Sequence, residues 1–351
     1  MTTTPTVTAP ADVAGPGEPA PAPRGSLFRA EAHRFSARRF IRVLLLLSVL
    51  AYLVIVPLVA ITQYSKPNAD VLADAQRRLD ASVAEQRMFR EQCLEQVPEG
   101  ESAENFCGSE DQEFQPSVSD FIDQPPFLLA DGLPEGSVAI GVMTAVLAFL
   151  IGATYVGAEW STRSMVALLF WEPRRLKVMG VKLAVTTVAA AVLAVLAQAV
   201  WWGTAEIMAA TRGSRENLPD RFWPDLLGQQ ARIVLFVVMA ALLGFGIANL
   251  IRNTGASLGV GFVYFVIVEN AVRGFKPAWQ EWLLVENASA LMLAGGHTIF
   301  LYDESVDEQG NFIDNGREVV LSNLHGGLVL GIVTAVLVVI GVLLFKRRDL
   351  H

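Results

Sequence analysis

The sequence predicts an all-α integral membrane protein with six transmembrane helices, an N-terminal interfacial helix and a helical outer loop. Hydrophobic residues make up 52% of the 351 residues, and charged residues make up only 18%. An ordinary soluble domain carries about 25% charged residues, so this chain is too apolar for that class. The apolar residues also form long runs with basic residues beside several of them, which is typical of membrane spans.

Six apolar runs are each long enough to cross about 30 Å of hydrocarbon as a helix that rises about 1.5 Å per residue. The runs cover residues 43–61, 138–156, 181–202, 233–251, 256–272 and 328–345. The first run is longer than the apolar part of a signal peptide, which favours an uncleaved span over a cleaved one.

The distribution of basic residues predicts the orientation of the chain. Lys and Arg cluster near both termini and between the second and third runs. Because these residues are retained on the cytoplasmic side during insertion, we expect a multi-pass protein of the cell membrane with both termini cytoplasmic. The lipid bilayer is then one partner, and the net charge of -8 gives no indication of nucleic acid as another.

The residues before the first run divide into two parts. Residues 1–25 are rich in Thr, Pro, Ala and Gly and have few large apolar side chains, so we expect a disordered tail before one transmembrane domain at 26–351. Residues 26–42 read SLFRAEAHRFSARRFIR and predict a basic amphipathic helix in the cytoplasmic interface. A plain basic anchor that only fixes orientation is the alternative.

The first outer loop, residues 64–136, is strongly acidic. Apolar residues recur at helical spacing over residues 68–96, which predicts a helix there. Cys93 and Cys107 are the only cysteines of the chain, and both lie in this loop. Two cysteines outside the membrane favour a disulfide, although a pair of reduced thiols is the alternative.

The third outer segment, residues 273–324, mixes apolar and polar stretches. Trp279 and Trp282 indicate a helix at the outer interface. Residues 291–296 are apolar enough to dip into the bilayer where protein covers their backbone. Residues 303–317 are polar and rich in turn-forming residues.

Few polar side chains lie within the apolar runs, and these are the candidates for a transport pathway. Gln198 lies in the third run, and Glu269 and Asn270 lie in the outer part of the fifth. An ionisable group inside a span predicts a functional site. The alternative for Glu269 is an interfacial carboxylate that pairs with Arg273.

A Walker A motif and metal-binding motifs do not occur in the sequence. Gly152 and Gly157 have the spacing of the two Walker A glycines, but Lys-Ser/Thr does not follow them. The histidines are scattered, and H-E-x-x-H is not present. We therefore expect no enzymatic activity and no cofactor bound by this chain.

The most informative stretch is the connector between the second and third runs, residues 157–182. It is basic, which predicts a cytoplasmic location. Its middle, residues 165–171, is apolar and is followed by Glu172 and Pro173, so a short helix should end there. Such a helix offers an apolar face to a soluble partner. Glu159 at its start is expected either to pair with Arg163 or to set the connector against that partner.

The connector resembles that of the ABC-2 type permeases, the membrane subunits of bacterial ABC transporters. The family pattern has Glu, a small residue with Thr, a Leu pair, Pro, Arg and Lys in that order. Here these fall on Glu159, Ser161-Thr162, Leu168-Leu169, Pro173, Arg175 and Lys182. The six-span plan and residues 345–350 at the C-terminus also resemble that family, with Ser161 at a position where Gly is commoner.

The resemblance implies a permease subunit of an ATP-driven exporter. ATP would be bound by a separate ATP-binding subunit, and a second copy or a related permease would complete the pathway. The residues implied in coupling to the ATP-binding subunit are Glu159, Thr162, Leu168, Leu169, Phe170, Pro173, Arg174 and Arg175. The alternative function is a membrane sensor or assembly protein that binds a partner through its acidic outer loop.

Overall fold

The computed structural model describes residues 26–98, 102–107, 116–162, 164–301, 304–306, 312–314 and 316–347. The predicted disordered tail at 1–25 lies outside these residues, as do Arg163 and the last residues of the C-terminal motif. The described part is mostly helical, with short strands in its outer segments.

Four helices form the N-terminal region and the first outer loop. They are α1 (Leu27–Ala37), α2 (Arg39–Gln63), α3 (Ala69–Glu95) and α4 (Ala103–Cys107). A 3₁₀ turn at Val118–Phe121 and the two-residue strand β1 (Phe127–Leu128) then lead back to the bundle. The helix predicted over 68–96 is therefore confirmed as α3.

Four helices and a strand make up the middle of the chain. They are α5 (Leu129–Ser161), α6 (Ser164–Trp171), α7 (Arg175–Arg212), the strand β2 (Gly213–Ser214) and α8 (Phe222–Ile251). Strand β2 pairs in parallel with β1. At Gly213 a Cβ would collide with the carbonyl of Phe127, so this close pairing requires glycine.

The last third of the chain contains a membrane helix with a wide turn, an outer segment and the final helix. Helix α9 (Thr254–Phe262), a π-helical stretch (Val263–Val268) and α10 (Glu269–Phe275) run on as one helix. A 3₁₀ turn (Pro277–Trp282) and α11 (Leu284–Met292) follow it. The chain then forms β3 (His297–Leu301), β4 (Glu304–Val306), β5 (Phe312–Asp314), β6 (Arg317–Leu321) and α12 (Asn323–Arg347).

Within the described residues, six helices are long and apolar enough to cross a membrane, as the sequence predicts. They are α2, α5, α7, α8, the continuous helix Thr254–Phe275 and α12. Helices α5 and α7 have 33 and 38 residues, which is longer than the predicted spans. At about 1.5 Å per residue they extend roughly 50 and 57 Å, because helical hydrogen bonding continues beyond the apolar run at both ends.

Helices α5 and α8 form the centre of the bundle because glycines allow their backbones to touch. A Cβ at Gly152 would collide with the carbonyl oxygen of Ala241, and one at Gly244 would collide with that of Phe149. Small residues at such contacts let membrane helices pack closely. Around this contact, α7 supplies Ala190 and Ala194, and α12 supplies Leu330, to the same buried cluster.

The outer segment after α10 contains strands, which the all-α prediction does not include. β3 pairs antiparallel with β6, and β4 with β5. The buried side chains Ile299, Leu301 and Leu321 pack with Ala290 of α11 in a small core of their own. The apolar stretch that was expected to dip toward the membrane begins in α11, where Leu291 and Met292 pack into the bundle core. Strand pairing between distant residues explains why local patterns do not show this hairpin.

Cys93 of α3 and Cys107 of α4 form a disulfide, as predicted. Helix α3 begins at an Asn68 cap, whose side-chain oxygen accepts a hydrogen bond from the Val71 N–H at 2.9 Å. Ala75 of α3 is buried. The disulfide closes this acidic loop at the far end of α3 from its capped start.

Replacing both cysteines with serine should loosen the outer loop and leave the helix bundle unchanged. In the loop-entropy model a bridge that closes about 15 residues contributes roughly 3 kcal/mol to the loop it closes. We expect faster protease cleavage near α3 in the Cys93→Ser/Cys107→Ser variant, with an unchanged thermal transition of the bundle. Equal cleavage rates for parent and variant would show that the bridge does not order this loop.

Candidate functional site

The connector between α5 and α7 contains the short helix that the sequence predicts. Helix α6 ends at Trp171, just before Glu172 and Pro173. The Glu172 N–H donates to the Leu168 carbonyl at 3.1 Å and so completes the last turn. Glu172 also pairs with Lys177 of α7 at 2.6 Å, and the hydrogen bond and charge of Lys177 lower the pKa of this carboxyl. These contacts fix where α6 stops and α7 begins.

Helix α1 lies beside α6, and a groove of about 430 Å³ separates them. The groove is lined by Arg34, Ala37, Arg38, Glu159, Ser164, Ala167 and Leu168. Its floor is thus the inner end of α5, and its two walls are α1 and α6. Residues from three separate parts of the chain meet at this one surface.

Lys182 lies at the base of this region and is fully buried, with 0% of its side chain exposed. Its ammonium Nζ is 2.6 Å from Glu31 Oε2 of α1 and 2.7 Å from Glu159 Oε2 of α5. One lysine of α7 therefore pairs with carboxylates from two other helices. Because an unpaired buried charge is costly, both carboxylates must stay close to the ammonium.

Further polar contacts complete the pairing of the two carboxylates. Arg38, at the junction of α1 and α2, is 2.6 Å from Glu159 Oε1. The Tyr155 hydroxyl donates to Glu31 Oε2 at 2.8 Å, and Arg34 reaches Glu31 Oε1 at 3.1 Å. We call Glu31, Arg38, Tyr155, Glu159 and Lys182 the charge network. Its two carboxylates balance the lysine and Arg38, so it is neutral apart from Arg34 at its rim.

The electrostatics keep Glu31 ionised although it is buried. Burial by itself would raise the pKa of this carboxyl. The Lys182 ammonium, with hydrogen bonds from Lys182 and Tyr155, has the larger combined effect and holds the pKa below its ordinary value. At neutral pH the contact between α1 and α7 is therefore an ion pair.

Glu159 and Thr162 lie at the start of the connector and have different surroundings. Glu159 is buried in the charge network, whereas the alternative partner Arg163 lies outside the described residues. Thr162 is exposed and ends α5, and its hydroxyl donates to the Ala158 carbonyl at 2.8 Å. The coupling role of Glu159 and Thr162 stays a prediction.

The apolar residues of α6 point in different directions. Leu168 is only 6% exposed and lines the groove, and Leu169 packs against the inner core of the bundle. Phe170 is 85% exposed. Of the three apolar side chains of α6 that are implied in coupling, only Phe170 is exposed.

The residues that close the connector are mostly exposed. Pro173 and Arg174 lie on the surface between α6 and α7. Arg175 is half-buried, and its guanidinium donates to the carbonyls of Phe345 and Lys346 at 3.4 Å each. It therefore satisfies carbonyl groups at the end of α12 and ties the connector to the last span.

The three predicted pathway residues lie in different surroundings. Gln198 is buried, and its Nε2 donates to the Ser137 carbonyl of α5 at 3.0 Å. Glu269 is buried at the outer side, where it pairs with Arg273 at 3.3 Å and accepts from the Val285 N–H at 3.1 Å. Asn270 is exposed. The pairing of Glu269 matches the interfacial alternative, and Gln198 belongs to a different helix contact.

The outer end of the bundle carries a second set of ionic contacts. Arg273 also pairs with Glu286 of α11 at 2.9 Å, and Glu286 lies 3.0 Å from His297 of β3. These contacts tie α10, α11 and β3 together. In the part of the chain that the structure describes, no group of three His, Cys, Asp or Glu residues has a geometry that holds a metal.

Sequence reasoning missed Glu31 and Tyr155 and did not place Lys182 in a buried pair. One signal was present for Glu31: it lies four residues after Leu27 and four before Phe35, on the apolar face of α1. A lone acid on the buried face of a basic helix indicates a buried basic partner. Lys182, near the start of an apolar run, is the matching signal.

Comparison with protein-family models, curated proteins and solved structures finds no match for this chain. Its function is therefore inferred from its own residues and geometry.

Removing Lys182 should destabilise the protein far more than removing an exposed lysine of the same helix. Lys182→Met leaves Glu31 and Glu159 buried without their shared cation, which typically costs about 3–5 kcal/mol. The matched control is Lys177→Met, whose exposed pair contributes ~1 kcal/mol or less. The measurement is the free energy of unfolding in mixed detergent micelles, followed by tryptophan fluorescence.

A double variant distinguishes charge pairing from simple packing. Glu31→Gln/Lys182→Met keeps the Arg38–Glu159 pair and removes one charge of each sign. It should recover much of the stability lost in Lys182→Met. If Lys182→Met is as stable as Lys177→Met, the charge network does not hold α1 in place.

Proposed function

We propose that this chain is the permease subunit of an ATP-driven transporter, coupled to a separate ATP-binding subunit through α6 and α1. The observation that carries the proposal is the charge network. It joins α1 to the inner ends of α5 and α7, which are the two spans on either side of the connector. The resemblance of residues 157–182 to ABC-2 permeases supports the same assignment.

Coupling requires that a push on the connector reaches the membrane helices. Helix α1 is bound to α7 by the Glu31–Lys182 pair and to α5 by the Tyr155 hydrogen bond. Arg175 links the connector to the end of α12. A partner that displaces α1 and α6 together therefore acts on three spans through short, stiff contacts rather than through a flexible loop.

In this mechanism the chain supplies the pathway and the coupling surface, and the partner supplies ATP hydrolysis. ATP binding closes two partner subunits, which move α6 and α1 of two permease subunits. The spans then alternate between inward-open and outward-open arrangements. Export is the direction that the resemblance implies, and the second permease subunit is another copy or a related chain.

The exposure of Phe170 supports a partner surface on α6. A large aromatic side chain that is 85% exposed on a soluble face is unfavourable unless a partner or the membrane covers it. Exposed Arg174 follows closely, so an apolar anchor with a basic rim is presented together. Aromatic anchors surrounded by a polar rim are typical of protein interfaces.

The second candidate function is a sensor or assembly protein that acts through the outer loop. Helix α3 favours it, because Met88 and Phe89 are exposed on its surface. That loop is held by the Cys93–Cys107 disulfide. In this case the ligand would bind on the side opposite to α6. The two candidate functions therefore differ in the face of the protein to which the partner binds.

The proposed orientation places α6 in the cytoplasm and α3 outside. Single cysteines at the exposed positions Arg174→Cys and Gln92→Cys, in a Cys93→Ser/Cys107→Ser background, report the two faces. A membrane-impermeant maleimide applied to intact cells should label Gln92→Cys at once, and Arg174→Cys only after permeabilisation. Labelling of Arg174→Cys in intact cells would overturn the coupling proposal.

Truncating Phe170 should weaken binding of the ATP-binding subunit without harming the permease. Removal of an anchor at the centre of an interface costs about 2 kcal/mol or more, which is roughly a 30-fold loss of affinity. Arg174→Ala should have a smaller effect, because an exposed rim charge contributes little. The measurement is co-purification of a candidate ATP-binding subunit, with permease expression as the reference.

Phe275→Ala is the matched control for this experiment. Phe275 is 83% exposed at the opposite end of the molecule, so its truncation removes the same side chain from a surface outside the proposed interface. Leu168→Ala is less informative, since Leu168 packs inside the chain. Equal ATPase binding by parent, Phe170→Ala and Phe275→Ala would make α6 an interfacial anchor and not a coupling helix.

A further inference from the structure

The first membrane helix, α2, contacts the rest of the bundle at few points along its length. At the inner end Arg38, its N-cap residue, pairs with Glu159 of α5. Near its middle the Tyr52 hydroxyl lies 2.6 Å from Thr204 Oγ1 of α7, and closer to its other end Ala60 packs in a buried cluster with Trp201. Most of its other side chains are exposed. Between Arg38 and Tyr52, α2 leaves a space beside α5 and α7.

That space is an apolar crevice of about 250 Å³. From α2 it is bordered by Ile41 and Leu45, and from α5 by Ala148. On α7 its wall includes Ala189 and Ala190. Ala189 and Ala190 are too short to close the gap where they lie, and Val192, Leu193 and Leu196 complete the α7 wall. Trp201 closes the contact further along the helix.

This crevice is suited neither to holding a water molecule nor to remaining empty. A buried water needs two to four polar partners, and the wall here is almost entirely apolar. Thr186 is the single polar side chain of the wall, and its hydroxyl already donates to the Lys182 carbonyl at 2.9 Å. An empty crevice would leave its lining atoms without contacts, so an apolar chain suits it. The crevice lies between helices that are long and apolar enough to cross a membrane.

We propose that this crevice binds one acyl chain of an anionic phospholipid, whose phosphate is held by Arg39 and Arg42. Both arginines are exposed in the first turn of α2, and Arg42 directly follows Ile41, which lines the crevice. The Arg42 Nε donates to the Ser36 carbonyl at 2.8 Å, which holds the guanidinium at the bend between α1 and α2. The N-terminus of the 25-residue helix α2 further favours an anion there.

The proposal does not depend on the transport function. The lipid would fill the gap under α2 and hold that helix against α5 and α7 along its inner half. It would be a bound component of the fold in any of the candidate functions. The ligand class follows from the two parts of the site, an apolar slot and a basic mouth.

The test uses the full-length protein in nanodiscs with a phosphatidylglycerol that carries a diazirine on its acyl chain. After irradiation, adducts are mapped by peptide mass spectrometry. We expect at least fivefold enrichment of adducts on residues 41–45 and 186–196 over residues 262–268, which are exposed on another membrane helix. Equal labelling of these segments would overturn the proposal, since it would indicate only general contact with the bilayer.

Two tryptophan variants of α7 distinguish the crevice from the lipid-facing surface. Ala189→Trp fills the crevice and should reduce the adducts at least fivefold. Ala184→Trp adds the same bulk at an exposed position outside the crevice and should leave the adducts unchanged. If size-exclusion chromatography shows that Ala189→Trp impairs folding, Ala189→Leu replaces it, because leucine occupies less of the crevice. Undiminished labelling in a folded Ala189 variant would contradict the proposal.

A separate measurement tests whether Arg39 and Arg42 bind the lipid phosphate. A phosphatidylcholine with the same diazirine chain should label the crevice several-fold less than phosphatidylglycerol. Arg39→Gln/Arg42→Gln should remove that difference while the Ala189 dependence persists. Equal labelling by the two lipids in the parent would overturn the assignment of the phosphate to these arginines.

Discussion

One buried ammonium organises the end of the helix bundle at which α1 and α6 lie. Lys182 of α7 pairs at once with Glu31 of α1 and Glu159 of α5, and it is fully shielded from solvent. Moving any one of the three groups away would break at least one of these buried ion pairs, which is costly in an apolar surrounding. The position of α1, the groove beside α6 and the inner end of α2 all follow from this pairing. The ion pairs act together with the apolar cluster of this face, in which Tyr155 packs with Met165 and Met179.

The sequence predicts those features that depend on neighbouring residues. The six apolar helices, helix α3 and the end of α6 before Pro173 follow from run length, periodicity and turn chemistry. The disulfide follows from two cysteines in one outer loop. The pairing within the charge network is not predictable in the same way. It joins Glu31 to Lys182 across 151 positions, and many other charges in the chain are equally plausible partners.

The candidate site shows a similar division between local and distant information. The sequence correctly indicates a short apolar helix in the connector, but periodicity over eight residues is too short to show which side faces inward. Leu168 and Phe170 are therefore equivalent in the sequence and opposite in the structure. The strands β3 and β6 were missed for a related reason, because their pairing depends on residues separated by the polar segment between them.

The wide turn at Val263–Val268 determines which way Glu269 faces. In this stretch the Glu269 N–H donates to the Tyr264 carbonyl five residues earlier, instead of four. Successive residues of a regular α-helix are turned by about 100° around the helix axis. If this stretch were regular α-helix, the residues after it would therefore be rotated by a comparable angle around that axis. Glu269 and Arg273, which both follow this stretch on the same helix, would then turn together away from Val285. The wide turn accommodates one extra residue, so a regular α-helix with one residue fewer would keep Glu269 facing Val285. A one-residue insertion here would therefore be less tolerable than deletion of that extra residue.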